Sequence, residues 1–158
     1  MTAAEPVVIF APVAGRVVIL SEVPDATFAQ AILGPGAAID PPHEVVDVIA
    51  PIAGKLLKVF PHAFVIVGAG GLGVLVHLGI DTVELKGVGF TLRAQQGDEV
   101  SAGDVIVQYD VPSIQAAGRN PIVPVIVMEQ KTEDVTLADA VALGAQLAAG
   151  IPFLVVSR

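Results

Sequence analysis

The chain has 158 residues, of which 54% are hydrophobic and 15% charged, and its formal net charge at pH 7 is −8. This acidity opposes binding to nucleic acid or anionic lipid, so a partner surface would have to be basic. Because the chain has no cysteine, disulfides, thiolate zinc sites and a cysteine nucleophile are excluded.

Glycine and proline punctuate the runs of valine, isoleucine and leucine, which favours many short strands over helices. The strands predicted in chain order are 7–10, 16–20, 44–50, 55–60, 63–67, 73–78, 88–94, 105–109, 123–128 and 152–156. Short helical turns are predicted at 24–31, where Asp25 near the start suits the helix dipole, and at 113–117. Turn signals this closely spaced indicate an all-β sandwich or barrel.

Two segments of the chain recur. APVAGRVV at 11–18 returns as APIAGKLL at 50–57, and each is interpreted as a corner between strands. Residues 97–106 match 144–153 in a glycine, an apolar residue three positions later, an Ala-Gly pair and an apolar strand. Residues 137–149 look helical from their alanine and leucine content, but this match favours a turn–strand–turn unit. The repeats predict pseudo-duplicated halves within a single domain over 1–158, after a short flexible segment at about 1–6.

Two of the three histidines follow strand-like apolar runs. His62 comes after the run at 56–60 and His77 after the run at 72–76, whereas His43 lies in a Pro-Pro-His loop and is predicted to be solvated. Most histidines near turns are ordinary surface residues, but two at the ends of neighbouring strands can meet. Paired imidazoles allow zinc binding, with Asp81, Glu84 or a partner completing the site. They also allow phosphoryl transfer through a phosphohistidine.

Phosphoryl transfer would divide the roles between the two rings. One imidazole attacks phosphorus, while the other donates hydrogen bonds to the transferred oxygens. Attack requires an unprotonated ring nitrogen that faces the donor, so the opposite N–H should be held by an acceptor such as a backbone carbonyl near Gly79. A glycine also suits a tight path directly after a nucleophile.

The stretch VHLGIDTVELKG at 76–87, with HAF at 62–64 and Gly89-Phe90, resembles the glucose-family enzyme IIA domain of the bacterial phosphoenolpyruvate-dependent sugar phosphotransferase system. The Ala-Pro corners, Val-Pro-Asp at 23–25 with Phe28, and 97–103 match as well, so the resemblance covers about 7–128. It implies an antiparallel β-sandwich that acts as a phosphocarrier.

The resemblance also implies the site and its partners. His77 would accept a phosphoryl group from the phosphohistidine of the carrier HPr and pass it to a cysteine on the IIB domain of a sugar permease. His62 would hold the phosphoryl group and serve mainly onward transfer. Two rim acids and a water-excluding apolar ring would contact the partners: Asp25, Asp81, Phe28, Ile32, Phe60, Phe64, Leu75 and Val83. For Phe28 and Phe64, an ordinary core position is the alternative.

No cofactor is required by this resemblance, although zinc at His62 and His77 is compatible with it, and regulated transporters or kinases are further possible partners. No apolar run reaches the roughly 20 residues of a membrane span, and Met1 to Pro6 lack signal-peptide features. We therefore expect a cytoplasmic protein without a membrane anchor.

The family often carries a threonine two residues before its first active-site histidine, and here Phe60 takes that place in a shorter segment. A hydroxyl near the phosphate must therefore come from elsewhere. The alternative function is a zinc-dependent hydrolase on a related β scaffold. Its ligands would include a His-x-His pair and an aspartate, and the chain contains no His-x-His.

Overall fold

The computed structural model describes residues 6–139 and 141–157. Apart from Pro6, the segment predicted to be flexible at 1–6 lies outside the described residues. Strands make up most of the described chain: β1 Val7–Phe10, β2 Gly15–Ile19, β3 Gly36–Asp40, β4 Val45–Ile49, β5 Gly54–Phe60, β6 Ala63–Val67, β7 Gly73–His77, β8 Phe90–Leu92, β9 Glu99–Val100, β10 Val105–Asp110, β11 Val123–Val127, β12 Val135–Leu137, β13 Gln146–Leu147 and β14 Pro152–Val156. The helices are α1, Ala26–Ala29, and α2, Val111–Ala116, with 3-10 turns at Leu20–Glu22, Ala69–Gly71, Thr82–Leu85 and Thr132–Asp134.

Every strand pairing among the described residues is antiparallel. An eight-stranded sheet has the order β13-β2-β3-β11-β7-β6-β5-β9, and two three-stranded sheets have the orders β1-β14-β12 and β4-β10-β8. The predicted all-β, antiparallel architecture is therefore confirmed. No helix in the described ranges is long and apolar enough to cross a membrane.

The three sheets enclose one large apolar core, to which Ile9, Val48 and Phe64 each contribute a side chain that is at most 1% exposed. A smaller cluster lies on the other face of the eight-stranded sheet, where Phe28 of α1 packs with Leu75. Strand side chains alternate between faces. Hence Val74, Val76 and Leu78 point into the large core, while Leu75 and the strand-end His77 share the face that α1 covers.

The sequence repeats correspond to matched structural units. The Phe10 N–H donates to the carbonyl of Pro51, and the Ile49 N–H donates to that of Pro12, so each Ala-Pro corner binds the strand that leads into the other. The strand order of the large sheet reads equivalently from both ends, with β13 on β2 matching β9 on β5. The predicted pseudo-duplication is thus present in the hydrogen bonding.

The strand predicted in place of a helix within 137–149 is confirmed, whereas other strand predictions need correction. The described residues of 137–149 form no helix, and Gln146–Leu147 is a short strand, as the repeat predicted. Strand β3 was not predicted, because its sequence Gly-Ala-Ala-Ile-Asp has low strand propensity and is flanked by prolines. It is a strand because β2 and β11 pair with both of its edges. The strand predicted at 88–94 is limited to Phe90–Leu92, since Gly87 and Gly89 have positive φ.

Candidate active site

Strand pairing brings the two predicted histidines together at one end of β5, β6 and β7. His62 lies in the two-residue turn that joins β5 to β6, where Phe60 pairs with Ala63. Ala63 also pairs with His77, the last residue of β7. The Leu78 N–H donates to the carbonyl of His62 at 2.7 Å. The backbone therefore holds the two histidines beside each other.

The two imidazoles meet edge to face. Their ring centroids are 5.2 Å apart, and the angle between the rings is 74°. The ring of Phe28 lies 5.0 Å from that of His77, and the ring of Phe60 lies 5.9 Å from that of His62. Both histidines are half-buried. The pair is thus flanked by aromatic side chains and remains open on one side.

A backbone carbonyl holds one nitrogen of His77. Nδ1 of His77 lies 2.6 Å from the carbonyl oxygen of Gly79. A carbonyl can only accept a hydrogen bond, so the proton of the neutral ring lies on Nδ1, and Nε2 carries the free lone pair. This arrangement is the one that a nucleophilic Nε2 requires.

Only a glycine fits the position of that carbonyl. Gly79 has a φ of +86°, in the left-handed region that side chains rarely adopt. A Cβ there would lie 2.5 Å from Cγ2 of Thr82 and 3.0 Å from both the Asn120 carbonyl oxygen and the Tyr109 hydroxyl. The sequence spacing of His77 and Gly79 therefore has a steric reason as well as a chemical one.

The surroundings of the rings favour their neutral forms. Burial lowers the pKa of His77, and the proximity of His62 lowers it further, while the hydrogen bond to Gly79 and the charges of Asp25 and Asp81 oppose the shift. Burial also lowers the pKa of His62. At neutral pH both rings are mainly unprotonated, so Nε2 of His77 is available as a nucleophile.

We expect the folded protein to lose stability as the pH falls below about 6.5, the ordinary pKa of histidine. The pKa of His77 lies lower in the folded chain than in the unfolded chain, so below pH 6.5 the unfolded chain binds more protons. Histidine titration by proton NMR, together with urea unfolding at pH 7.5 and pH 5.5, measures this effect. A His77→Gln variant is the control and should lose less stability over the same range; an equal loss would contradict the assignment to His77.

The two predicted rim acids both lie close enough to His77 to influence its pKa. Asp25 is the N-cap of α1 and accepts the Thr27 N–H at 2.9 Å. Asp81 is exposed, has a left-handed φ of 58° and precedes the Thr82–Leu85 turn. Their charges both reach His77, where each raises its pKa.

The predicted apolar ring divides into an exposed part and a buried part. Ile32, Phe60 and Val83 are 64%, 51% and 61% exposed, respectively. Phe28 and Leu75 are buried in the smaller cluster beneath the histidines and form the base of the site.

Phe64 does not belong to this ring, which corrects the sequence interpretation. Its side chain is 1% exposed and lies in the large core, on the opposite face of the sheet. Because Ala63 pairs with His77, alternation along β6 turns the next residue away from the site. Phe64 is therefore an ordinary core residue, and a partner at the histidines cannot reach it.

The described residues contain no cluster of three or more histidine, aspartate or glutamate side chains that could hold a metal ion. Glu84 instead forms an ion pair with Arg119 at 3.3 Å. Two imidazoles leave a zinc ion short of ligands, so zinc at His62 and His77 would need ligands from outside the described chain. His43 is exposed and makes a hydrogen bond with Gln115 in the region of α2.

Sequence reasoning missed Thr82 as a member of the site. Its side chain is 0% exposed, and its hydroxyl donates to the Leu78 carbonyl at 2.7 Å. A threonine that follows a tight glycine turn by three positions was the signal, since a short polar side chain there can satisfy a backbone carbonyl of the turn.

The fold and the site define an all-β, antiparallel protein with a histidine pair on a half-exposed, partly apolar face. Residues 7–133 match the family model described as phosphoenolpyruvate-dependent sugar phosphotransferase system, EIIA 1. The chain belongs to this enzyme IIA family and is a phosphotransferase component of sugar uptake. The resemblance predicted from the sequence is thereby confirmed, and nothing in these comparisons supports a zinc hydrolase.

Two relatives show how far the likeness extends. The glucose-specific EIIA component of the phosphotransferase system of Halalkalibacterium halodurans is 42% identical over 121 residues, which cover 75% of this chain and 69% of that protein. The structure of glucose permease IIA from Mycoplasma capricolum matches with a TM-score of 0.82 at 33% identity and covers 96% of both chains. The likeness of fold therefore includes the C-terminal strands as well as the histidine region.

Proposed function

We propose that His77 accepts a phosphoryl group from the phosphohistidine of HPr and passes it to a cysteine on the IIB domain of a sugar permease. The observation that carries this proposal is the hydrogen bond from Nδ1 of His77 to the Gly79 carbonyl, because it leaves Nε2 free. Both relatives are named for glucose, so glucose is the first sugar to test.

The chemistry balances without a cofactor. The lone pair on Nε2 of His77 attacks phosphorus, the phosphorus–nitrogen bond to the donor breaks, and its electron pair returns to the donor imidazole. The phosphorylated His77 ring then carries a positive charge, which the Gly79 carbonyl stabilises by accepting the hydrogen bond from Nδ1. In the second step the IIB thiolate attacks phosphorus, and the electron pair of the breaking bond returns to Nε2.

His62 supports the transfer without forming a bond to phosphorus. Its neutral ring keeps one N–H, and the edge-to-face contact with the His77 ring supports a position for this N–H beside the group on Nε2. A hydrogen bond from it to a phosphoryl oxygen would stabilise the charge that develops during transfer.

The surface around the pair suits a protein partner. Ile32, Phe60 and Val83 present exposed apolar side chains that can exclude water from the phosphohistidine when a partner binds. Asp25 and Asp81 add negative charge beside them. A docking surface with an apolar centre and basic residues around it would be complementary.

Incubation of the full chain with phosphoenolpyruvate, enzyme I and HPr should give one acid-labile, base-stable phosphate, which mass spectrometry under basic conditions should map to His77. Omitting HPr should abolish the label, because the proposal makes phospho-HPr the direct donor to His77. Label on a different residue, or no label with active HPr, would overturn the proposal.

A His62→Gln variant should still accept phosphate but pass it on at least about tenfold more slowly, since glutamine keeps an N–H but not the imidazole geometry. Rapid-quench measurement of both half-reactions separates the two effects. Normal onward transfer to the IIB domain would remove His62 from the mechanism.

A further inference from the structure

We propose that Thr82 is a positioning residue for phosphoryl transfer at His77, an inference that rests on the function proposed above. Apart from Tyr109, Thr82 is the only polar side chain that is buried among the residues the structure describes. Burying a hydroxyl is unfavourable unless it is hydrogen-bonded, so its partner indicates its role. That partner is the Leu78 carbonyl, at 2.7 Å.

The hydrogen bond fixes the peptide group that leads into Gly79. Thr82 Oγ1 binds the carbonyl end of the Leu78–Gly79 peptide, and the amide end of the same peptide donates to the Ile122 carbonyl at 3.0 Å. With both ends held, this peptide cannot rotate without breaking a buried hydrogen bond. Its orientation sets the direction in which the chain continues to the Gly79 carbonyl, the acceptor for Nδ1 of His77.

Thr82 also restricts the same segment through packing. Its Cγ2 methyl would lie only 2.5 Å from a Cβ on Gly79, so it fills the space beside the Gly79 Cα. The next peptide is held by the Ile80 N–H, which donates to the Asn120 carbonyl at 2.9 Å. Among the described residues, the side chains that donate to the backbone of residues 78–80 are therefore His77 itself, at Gly79, and Thr82, at Leu78.

The Leu78 peptide connects Thr82 to both histidines. The Leu78 N–H donates to the His62 carbonyl at 2.7 Å, while its carbonyl accepts from Thr82. Thr82 therefore acts on His77 through Gly79 and on His62 through Leu78, by a hydrogen bond to the backbone and not to either ring. The proton of the Thr82 hydroxyl is donated to this backbone carbonyl. We therefore assign Thr82 to positioning the backbone and not to binding the phosphoryl group.

The matched pair of variants is Thr82→Val, which keeps the shape without the donor, and Thr82→Ser, which keeps the donor without the methyl. In Thr82→Val we expect about a tenfold slower phosphorylation by phospho-HPr, by analogy with the effect of removing groups that orient a reacting imidazole. We also expect the Nδ1–H tautomer of His77 to lose population in nitrogen-15 NMR spectra at neutral pH. Thr82→Ser should recover most of both. Ile66→Val, buried in the large core, should lower Tm but leave tautomer and rate unchanged.

A folded Thr82→Val variant with the wild-type tautomer and wild-type rate would overturn the proposal. If this variant does not fold, Thr82→Cys, a weaker donor of similar size, is compared with Thr82→Ser, and equal tautomer populations and rates in the two would have the same consequence. Failure of the wild-type chain to label at His77 would instead remove the proposed function. The tautomer comparison is independent of phosphorylation and tells the two failures apart.

Discussion

A His77→Ala variant should take up no detectable phosphate from phospho-HPr, a loss on the order of 1,000-fold or more, because alanine provides no nucleophile. We do not expect His62 to substitute, since the backbone acceptor that sets the tautomer, the Gly79 carbonyl, is bound to His77. Radiolabel from phosphoenolpyruvate, carried through enzyme I and HPr, measures the effect directly.

His43→Ala is the matched control for this experiment. His43 is exposed and bound to Gln115, away from the paired rings, so its removal should leave labelling at the wild-type level. Thermal unfolding of both variants tests whether each is folded. Persistent labelling of folded His77→Ala would assign the phosphate to another residue and overturn the proposed role of His77.

Gly79→Ala should be the most destabilising single-methyl change at the site, at about 2–4 kcal/mol. The left-handed φ of +86° costs an alanine about 1 kcal/mol or somewhat more. Overpacking adds roughly 1–3 kcal/mol, since the new Cβ would meet Thr82, Asn120 and Tyr109 within 3.0 Å. Urea unfolding measures the loss. The displaced carbonyl should also slow phosphorylation of whatever fraction remains folded.

Gly97→Ala separates the two contributions. Gly97 has a comparable φ of +96°, but a Cβ there would find no atom within 4 Å. This variant should lose only the conformational part, about 1 kcal/mol, and phosphorylate normally. If the two variants are equally destabilised, the close packing around Gly79 is not the determining factor.

The histidine region followed from the sequence because it depends on local spacing. Because His77 lies two residues before Gly79, its ring can reach the Gly79 carbonyl. Because only two residues separate β5 from β6, His62 lies in a tight hairpin turn. The placement of Phe28 and Phe64 on opposite faces of the sheet could not be predicted from the sequence. Placing Phe28 beneath the site and Phe64 in the opposite core requires the register between β6 and β7, and a shift of one residue would exchange the faces.

Elements that are stabilised mainly by contacts with neighbouring segments also could not be predicted from the sequence. Strand β3 has little intrinsic strand propensity and is held by pairing on both edges. In the sequence, Thr82 is an ordinary polar residue of an acidic loop. Its burial depends on the packing of residues 120–122 against the turn, which the sequence does not show. By contrast, the repeats predicted β13 correctly, since each repeat meets an equivalent strand of the large sheet.

The pairing of β1 with β14 has a consequence for folding kinetics. Val7 is hydrogen-bonded within a ladder that places it opposite Val156, so one of the first described strands waits for one of the last. Closing so long a loop is entropically slow, and contacts of this kind form late. During synthesis the apolar Val-Val-Ile-Phe strand has no partner strand until nearly the whole described chain has emerged, although Phe10 can already bind the carbonyl of Pro51. Formation of the β1-β14-β12 sheet is therefore the step at which the nascent chain is most prone to aggregate. By then, all the strands that form the histidine site have already been synthesised.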